Sequence, residues 1–541
     1  MKKLLFIILT FCFSSLFSQD YSSHIPENAL AVFEINFPKI LEAMPLEEFE
    51  KSEIGAVFLK NLSKVVEKED ITINDLGFNT NTSHYIFFVQ NKNQLDLVFL
   101  HPLNQSETLT TMLGNKYEIT DTPSDHQYVS IKDGSRFFWN SRLMTFVSPV
   151  NIDKSQYSDS FEWTPYLSPV TSSLQKNALY QKNKDPKAAS CFWVNDLGNA
   201  MVKLSKGMNK LNYGMEYMDQ LYDGYKNFSM KLYFKKEQTE LVTNLTLDDD
   251  LGELFKKISQ RKFNKELLNY VDLNNCLAYF SNSIHTGNFL EYYPEVMKKQ
   301  FAALPETGSA KEEILLGLSA FSTLIDEEAI SEIIPGDFLF VLNGIEEKEV
   351  EYVTYEYDSN YNMLPITKTK MEKVPEFMLL SSTTESNSLL KSTINYLESK
   401  KLLEKKSGYY KIVSYPGISI DLYLMIKNNI LFLGSSESQF ESIIKGSYVP
   451  KVSDEIAKMI SGNQTYMYVG LSKFESLFRN SNTEISEKGN RSVELIKKSP
   501  DFYFVTGKPK KNISSNKLII TTPQGYKNGL DYLVQLLGEL N

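Results

Sequence analysis

The chain has 541 residues, of which 42% are apolar, 23% charged and 13% aromatic, and its formal net charge is −10 at pH 7. That balance excludes a disordered acidic chain, a collagen-like repeat and a small disulfide scaffold, and the length suits roughly two to four domains. An acidic body also disfavours nucleic acid and anionic membrane surfaces as partners.

Lys2 and Lys3, the apolar run Leu4–Phe13 and the polar stretch ending at Ser18 form a secretory signal, with cleavage expected after Ser18. The apolar run is too short to span a bilayer. Cys12 raises a lipid anchor, but Thr10 and Phe11 precede it and more apolar residues follow, so simple cleavage is favoured over a lipoprotein. The expected location is the periplasm or cell envelope. No later segment reads as transmembrane. Ile314–Ile325 (ILLGLSAFSTLI) is short and flanked by charges, which predicts a buried core helix. Cys191 and Cys276 lie in strand-like runs and are expected as buried free thiols ahead of a disulfide; no CxxC is present.

The mature chain opens with Ile25-Pro-Glu-Asn-Ala-Leu-Ala-Val-Phe-Glu-Ile-Asn36, and Val271-Asp-Leu-Asn-Asn-Cys-Leu-Ala-Tyr-Phe-Ser-Asn282 echoes it. Further blocks follow in the same order. His84–Asn91 matches Asp337–Gly344, and Leu95–Leu113 matches Glu376–Leu397. Tyr117–Val147 matches Tyr409–Leu433, with turns near Gly134 and Asn429. Ser190–Asn195 matches Gln464–Gly470, and Phe228–Leu247 matches Asp501–Thr522. The order predicts a tandem duplication, with a first repeat at 22–262 and a second at 263–541 after the signal peptide 1–18. Each half mixes hairpin-linked strands with helices, which predicts an α+β fold of two related halves, each a largely antiparallel sheet covered by helices.

Between Asp196 and Asp223, Leu197, Met201, Leu204, Met208, Leu211, Met215, Met218 and Tyr222 recur at spacings of 4 and 3, a helical seam with Asp196 as cap and Gly224 as stop. Such a seam packs on its own sheet or, since methionines suit adaptable surfaces, forms an apolar groove at Met201, Met208, Met215 and Met218. The segment Glu346–Lys373 has no counterpart in the first half. Its alternation, with a turn at Asp358–Asn362, predicts a β-hairpin arm, acidic outward and basic on return, with cross-strand Glu–Lys pairing. Tyr352, Tyr355, Tyr357 and Tyr361 cluster near its tip; the segment reads either as a tolerated surface insertion without a role or, since exposed tyrosines suit binding surfaces, as a candidate for partner binding.

Asp248-Asp249-Asp250 reads as a helix N-terminus, because consecutive acids lack the alternate spacing of a calcium loop. None of His24, His84, His101, His126 or His285 lies in a metal-binding or catalytic motif, and no GxSxG, Walker loop or GxGxxG is present. Ser514–Lys517 fits SxxK only in a turn before a strand, a chance match. No catalytic residue, metal ligand or cofactor site is therefore assigned.

The opening block Ile25–Asn36 and the hairpin-to-helix segment Leu424–Gly446 (LMIKNNILFLGSSESQFESIIKG) resemble uncharacterised exported two-repeat proteins of the Bacteroidota. The resemblance implies an envelope protein and supplies no site residues. The resulting expectation is a non-catalytic cell-envelope protein binding a protein partner or an apolar ligand. The alternatives are an envelope hydrolase whose site is assembled only in three dimensions, and a carrier or chaperone for lipid or outer-membrane cargo. The segment Lys527–Leu540 is helical by pattern and not a β-rich sorting domain, which favours periplasm over secretion.

Overall fold

The structure is a computed structural model that describes residues 20–540 except 67–68, 70, 92–93, 132–133, 151–162, 208–221, 223, 303–308, 358–360, 414–419 and 476–492. The expected signal peptide, 1–18, thus lies outside the described residues. The fold is α+β. The chain divides into two compact units: Met1–Asp248 with Gln300–Lys311 and Thr521–Asn541, and Asp249–Lys299 with Glu312–Ile520.

The strands of the first unit are β1 (Ala31–Asn36), β2 (Ser83–Asn91), β3 (Gln94–Pro102), β4 (Thr120–Asp121), β5 (Gln127–Ser130), β6 (Arg136–Trp139), β7 (Leu143–Pro149), β8 (Ser190–Asn195), β9 (Tyr225–Phe234) and β10 (Gln238–Leu247). They pair in the order β4-β5-β6-β7-β3-β2-β1-β8-β9-β10, every pair antiparallel. Alternation explains the faces. Val32, Tyr85, Phe87, Val98, Leu100, Val147 and Trp193 point to one side, where Tyr21, Ile25, Leu174 and Tyr180 close a core over them. On the other side Leu30, Ala31, Leu95 and Val194 meet Ala200, Leu197 and Leu204.

The second unit holds β11 (Ala278–Ser283), β12 (Asp337–Tyr357), β13 (Met363–Ser382), β14 (Leu403–Lys405), β15 (Tyr410–Ile412), β16 (Leu422–Lys427), β17 (Ile430–Gly434), β18 (Thr465–Gly470), β19 (Asp501–Thr506) and β20 (Ile513–Thr521). Their order is β14-β15-β16-β17-β13-β12-β11-β18-β19-β20, again antiparallel throughout. Position for position this is the order of the first unit. Tyr279, Leu339, Val341, Met378, Leu380 and Phe432 form its core with Leu267, Phe440, Ile443 and Ile460 from the covering helices. Asn428 and Asn429 both take positive φ, 54° and 57°, between the paired Lys427 and Ile430. That is the two-residue turn whose twist suits a hairpin, at the Lys427–Asn429 position expected from sequence.

The helix that follows each sheet's last strand completes the other unit. Asp249–Ile258, with Asp249 and Asp250 in its first turn, belongs to the second unit. Gly529–Leu540 belongs to the first, where Tyr532 and Val534 are buried. Ser514–Lys517 lies inside β20, not in a turn before it.

Candidate functional site

The tyrosine segment is an arm. β12 pairs with β11 only at Asp337–Leu342, and β13 with β17 only at Met378–Ser382. Beyond those contacts the two strands continue paired with each other from Gly344–Glu376 to Tyr357–Met363. The ribbon therefore runs on past the sheet, with its backbone satisfied internally and its outer edges open among the described residues. Successive side chains alternate in direction, so the four candidate tyrosines are not gathered on one surface. Tyr355 and Tyr357 share a face with Val353 and, across the ladder, Met363; these four are 60–66% exposed. Tyr352 points to the opposite face, where the Lys370 ammonium stands 5.5 Å from its ring centroid. Tyr361 stands at the tip, 87% exposed, with φ 61°.

The expected Glu–Lys ladder forms only in part. The register sets Glu347 opposite Lys373 and Lys348 opposite Glu372 as expected, but Glu349 opposite Met371 and Glu351 opposite Thr369, while Lys370 and Lys368 face Val350 and Tyr352. Lys368 reaches diagonally across the ribbon to Glu356 at 2.8 Å, and that bond raises the lysine's pKa. Lys348–Glu346 and Lys370–Glu372 lie along single strands. Exposed pairs of this kind add little stability, so the arm holds its shape chiefly through backbone pairing.

Of the methionine candidates only Met201 is described. It is half-buried on the helix Leu197–Gly207, whose Leu197 and Leu204 pack on the unit's own sheet. Met208, Met215 and Met218 lie outside the described residues. Asp196 accepts from the Asn199 N–H at 3.2 Å as the expected cap, and Gly224 has φ 87°. An apolar cavity lies elsewhere, between the helices Thr286–Ala302 and Ser309–Leu324. It encloses about 530 Å³ and is lined by Phe289, Leu290, Tyr293, Met297, Ile314 and Leu318 among others. This corrects the reading of Ile314–Ile325 as a buried core helix. Leu316 is 71% and Leu324 83% exposed, because the helix turns one stripe to its neighbour and leaves the rest to solvent.

The histidines have structural partners. His24 Nδ1 donates to the Tyr166 carbonyl at 3.3 Å, and His285 Nδ1 accepts from the Asn288 N–H at 3.2 Å where a helix begins. His84 and His101 face each other across β2 and β3, with Nδ1 to Nδ1 at 2.8 Å. His84 Nε2 is 2.9 Å from the Asn79 carbonyl and must donate to it. Its Nδ1 is then the acceptor, and His101 donates. Burial lowers both imidazoles, His84 to about 4 and His101, with the neighbouring ring adding to the effect, to about 3.

Both rings are thus neutral in the folded chain at pH 6, whereas unfolded histidine takes up a proton near 6.5. Their contribution is present above that value and is lost as pH falls towards the folded values. Each imidazole contributes a slope of about 1.4 kcal/mol per pH unit in that window. Urea titrations at stepped pH are expected to show the first unit losing up to about 2.7 kcal/mol between pH 6 and pH 5. The variant carrying both His84→Asn and His101→Asn should flatten that slope; an unchanged slope would refute the assignment.

Cys191 and Cys276 are each buried and free. Burial raises their thiols to about 12 and about 11, so neither is a ready nucleophile. Among the described residues no group of three or more His, Cys, Asp or Glu side chains could hold a metal ion. No described helix is long and apolar enough to cross a membrane.

No protein-family model matches the chain, and no curated protein does. One solved structure, crystal form IV of TP0453, is 11% identical, covering 42% of this chain and 80% of that one at a TM-score of 0.23. A likeness at that level carries no argument about fold or function, so the functional reading rests on this chain's own residues.

Proposed function

We propose that this is an exported, non-catalytic protein of the cell envelope that binds a protein partner through the arm Glu346–Lys373. The observation that carries the reading is the face formed by Val353, Tyr355, Tyr357 and Met363, held clear of the sheet and exposed on a self-paired ribbon. A ribbon of this length costs conformational entropy to order. Large aromatic side chains left in water at its end gain free energy when a partner covers them. The same exported chain is read as the product of a tandem duplication, supported by the strand order that the two units share; the arm is then what the second copy added.

The test is site-specific photocrosslinking in intact cells. A photoreactive phenylalanine analogue at Tyr357 is expected to give a discrete protein adduct. The same analogue at Tyr396, equally exposed but off the arm, should not. Equal labelling at both positions, or none at Tyr357, removes the reading. Replacing Glu347–Lys373 with an Asn-Gly turn between the paired Glu346 and Val374 should abolish capture and shift the unfolding free energy by less than about 1 kcal/mol, because the arm shares no ladder with other strands.

A second reading, an apolar ligand, is favoured by the cavity beside Phe289 and Leu318. Displacement of a fluorescent fatty acid from the purified chain, weakened by Gly317→Leu at the cavity wall, is the corresponding measurement.

A further inference from the structure

The echo of the opening block, Val271–Asn282, and the hairpin-to-helix segment Leu424–Gly446 meet at a second pocket, an open one, in the second unit. The echo of the opening block supplies Asp272, Asn275 and Cys276, and the hairpin-to-helix segment supplies Ser436, Ser438, Gln439 and Ser442. Asn343 from β12, Glu376 from β13 and Tyr448 complete the wall of this open pocket, whose volume is about 430 Å³. Pockets for small molecules run from roughly 300 to 1,000 Å³, so this one suits a compact ligand.

The wall is built of groups that both give and take hydrogen bonds. Asn343 Nδ2 donates to Gln439 Oε1 at 3.2 Å, and Gln439 Nε2 reaches the Tyr448 hydroxyl at 3.5 Å. Ser436 and Ser438 hydroxyls lie 3.2 Å apart. Asp272 is fixed by the Asn275 N–H and side-chain amide at 3.1 and 2.9 Å, and by Lys451 at 3.2 Å. The side chain of Glu376 is half-buried, and its carboxylate has no hydrogen-bond or ion-pair partner among the described residues. Burial, with the charges of Asp272 and Glu376 adding to it, lifts the Tyr448 phenol to about 12, so it remains a donor.

These features narrow the ligand. Two carboxylates repel phosphate and other anions, and Lys451 is already held by Asp272. An apolar molecule would strand the carboxamides and hydroxyls without partners, at about 1–3 kcal/mol each. A ring bearing several hydroxyls matches instead, since each hydroxyl can donate to a carboxylate and accept from an amide or a serine. We propose that this cavity is a carbohydrate-binding site that takes a mono- or disaccharide, with Glu376 and Gln439 as its principal hydrogen-bonding groups. The site is separate from the arm and does not depend on the arm's role.

The experiment is saturation-transfer NMR and titration calorimetry on the full mature chain. The panel is glucose, galactose, mannose, N-acetylglucosamine and disaccharides built from them. At least one sugar is expected to bind saturably. Glu376→Gln should weaken it by tenfold or more without lowering the melting temperature, Gln439→Ala should weaken it as much with some loss of stability from the unpaired Asn343, and the arm-shortened variant should bind as the parent does. Failure of every sugar to saturate overturns the proposal. So does sugar binding that both substitutions leave intact, or binding of calcium or an alkylamine in place of any sugar.

Discussion

Asp337→Ala is expected to destabilise the second unit by about 3–5 kcal/mol, the cost of leaving a buried charge without its partner. Asp337 opens β12 and is wholly buried. Its Oδ1 accepts from Arg261 at 2.5 Å. Its Oδ2 accepts from the Asn264 N–H at 3.1 Å and the Ser382 hydroxyl at 2.7 Å. The carboxylate thus ties the approach to the helical turn Lys265–Tyr270 to the start of β12 and the end of β13, the in-sheet end of the pair. Removing it strands a guanidinium, a backbone N–H and a hydroxyl together. Denaturant unfolding of the parent, Asp337→Ala and the double variant Arg261→Met with Asp337→Leu tests this. The double variant should recover much of the loss, because an apolar pair needs no desolvated partner. A single variant within about 1 kcal/mol of the parent would show that the pair carries no such role.

Removing Tyr526–Asn541 is expected to cost the first unit about 4–6 kcal/mol, from two buried side chains at roughly 1.5–3 kcal/mol each and the polar contacts that accompany them. Tyr532 and Val534 are buried there. Asn528 Nδ2 donates to the Ala43 carbonyl at 2.6 Å, and Lys527 pairs with Glu48 at 2.8 Å. The polar pair is exposed and adds little; the apolar side chains dominate. Tyr532→Ala alone should cost about 3 kcal/mol. Hydrogen exchange should locate the loosening in the helices between Phe37 and Val66, far from the cut in sequence. Protection unchanged in those helices would count against the assignment of Gly529–Leu540 to the first unit.

The strands were legible because period-2 alternation is local: Tyr85, Phe87 and Val89 announce a buried face without reference to anything distant. The arm was legible for the same reason, and its turn residues marked the reversal. The facing of its tyrosines depends on register, which sets Tyr352 apart from Tyr355 and Tyr357. The Ile314–Ile325 segment misled because hydropathy measures the wish to leave water and not the presence of a surface to leave it for. The His84–His101 contact was within reach. Once the hairpin register placed Tyr85 opposite Leu100, the two rings had to be neighbours. The polar cavity was not. Its wall joins Asp272 to Tyr448, and no window of sequence spans that distance. Nor does composition say which helix closes which unit.

That last arrangement sets a timetable. Strand β10 ends at Leu247, yet the segment that completes the same unit begins at Thr521. At ~5–20 residues per second, a ribosome needs on the order of tens of seconds to cover the interval. Throughout it the helix Glu53–Val66 lacks the apolar partner that will later cover it. The helix Glu53–Val66 is therefore made before Gly529–Leu540 and finished only after it, by a segment about 460 residues further along the chain.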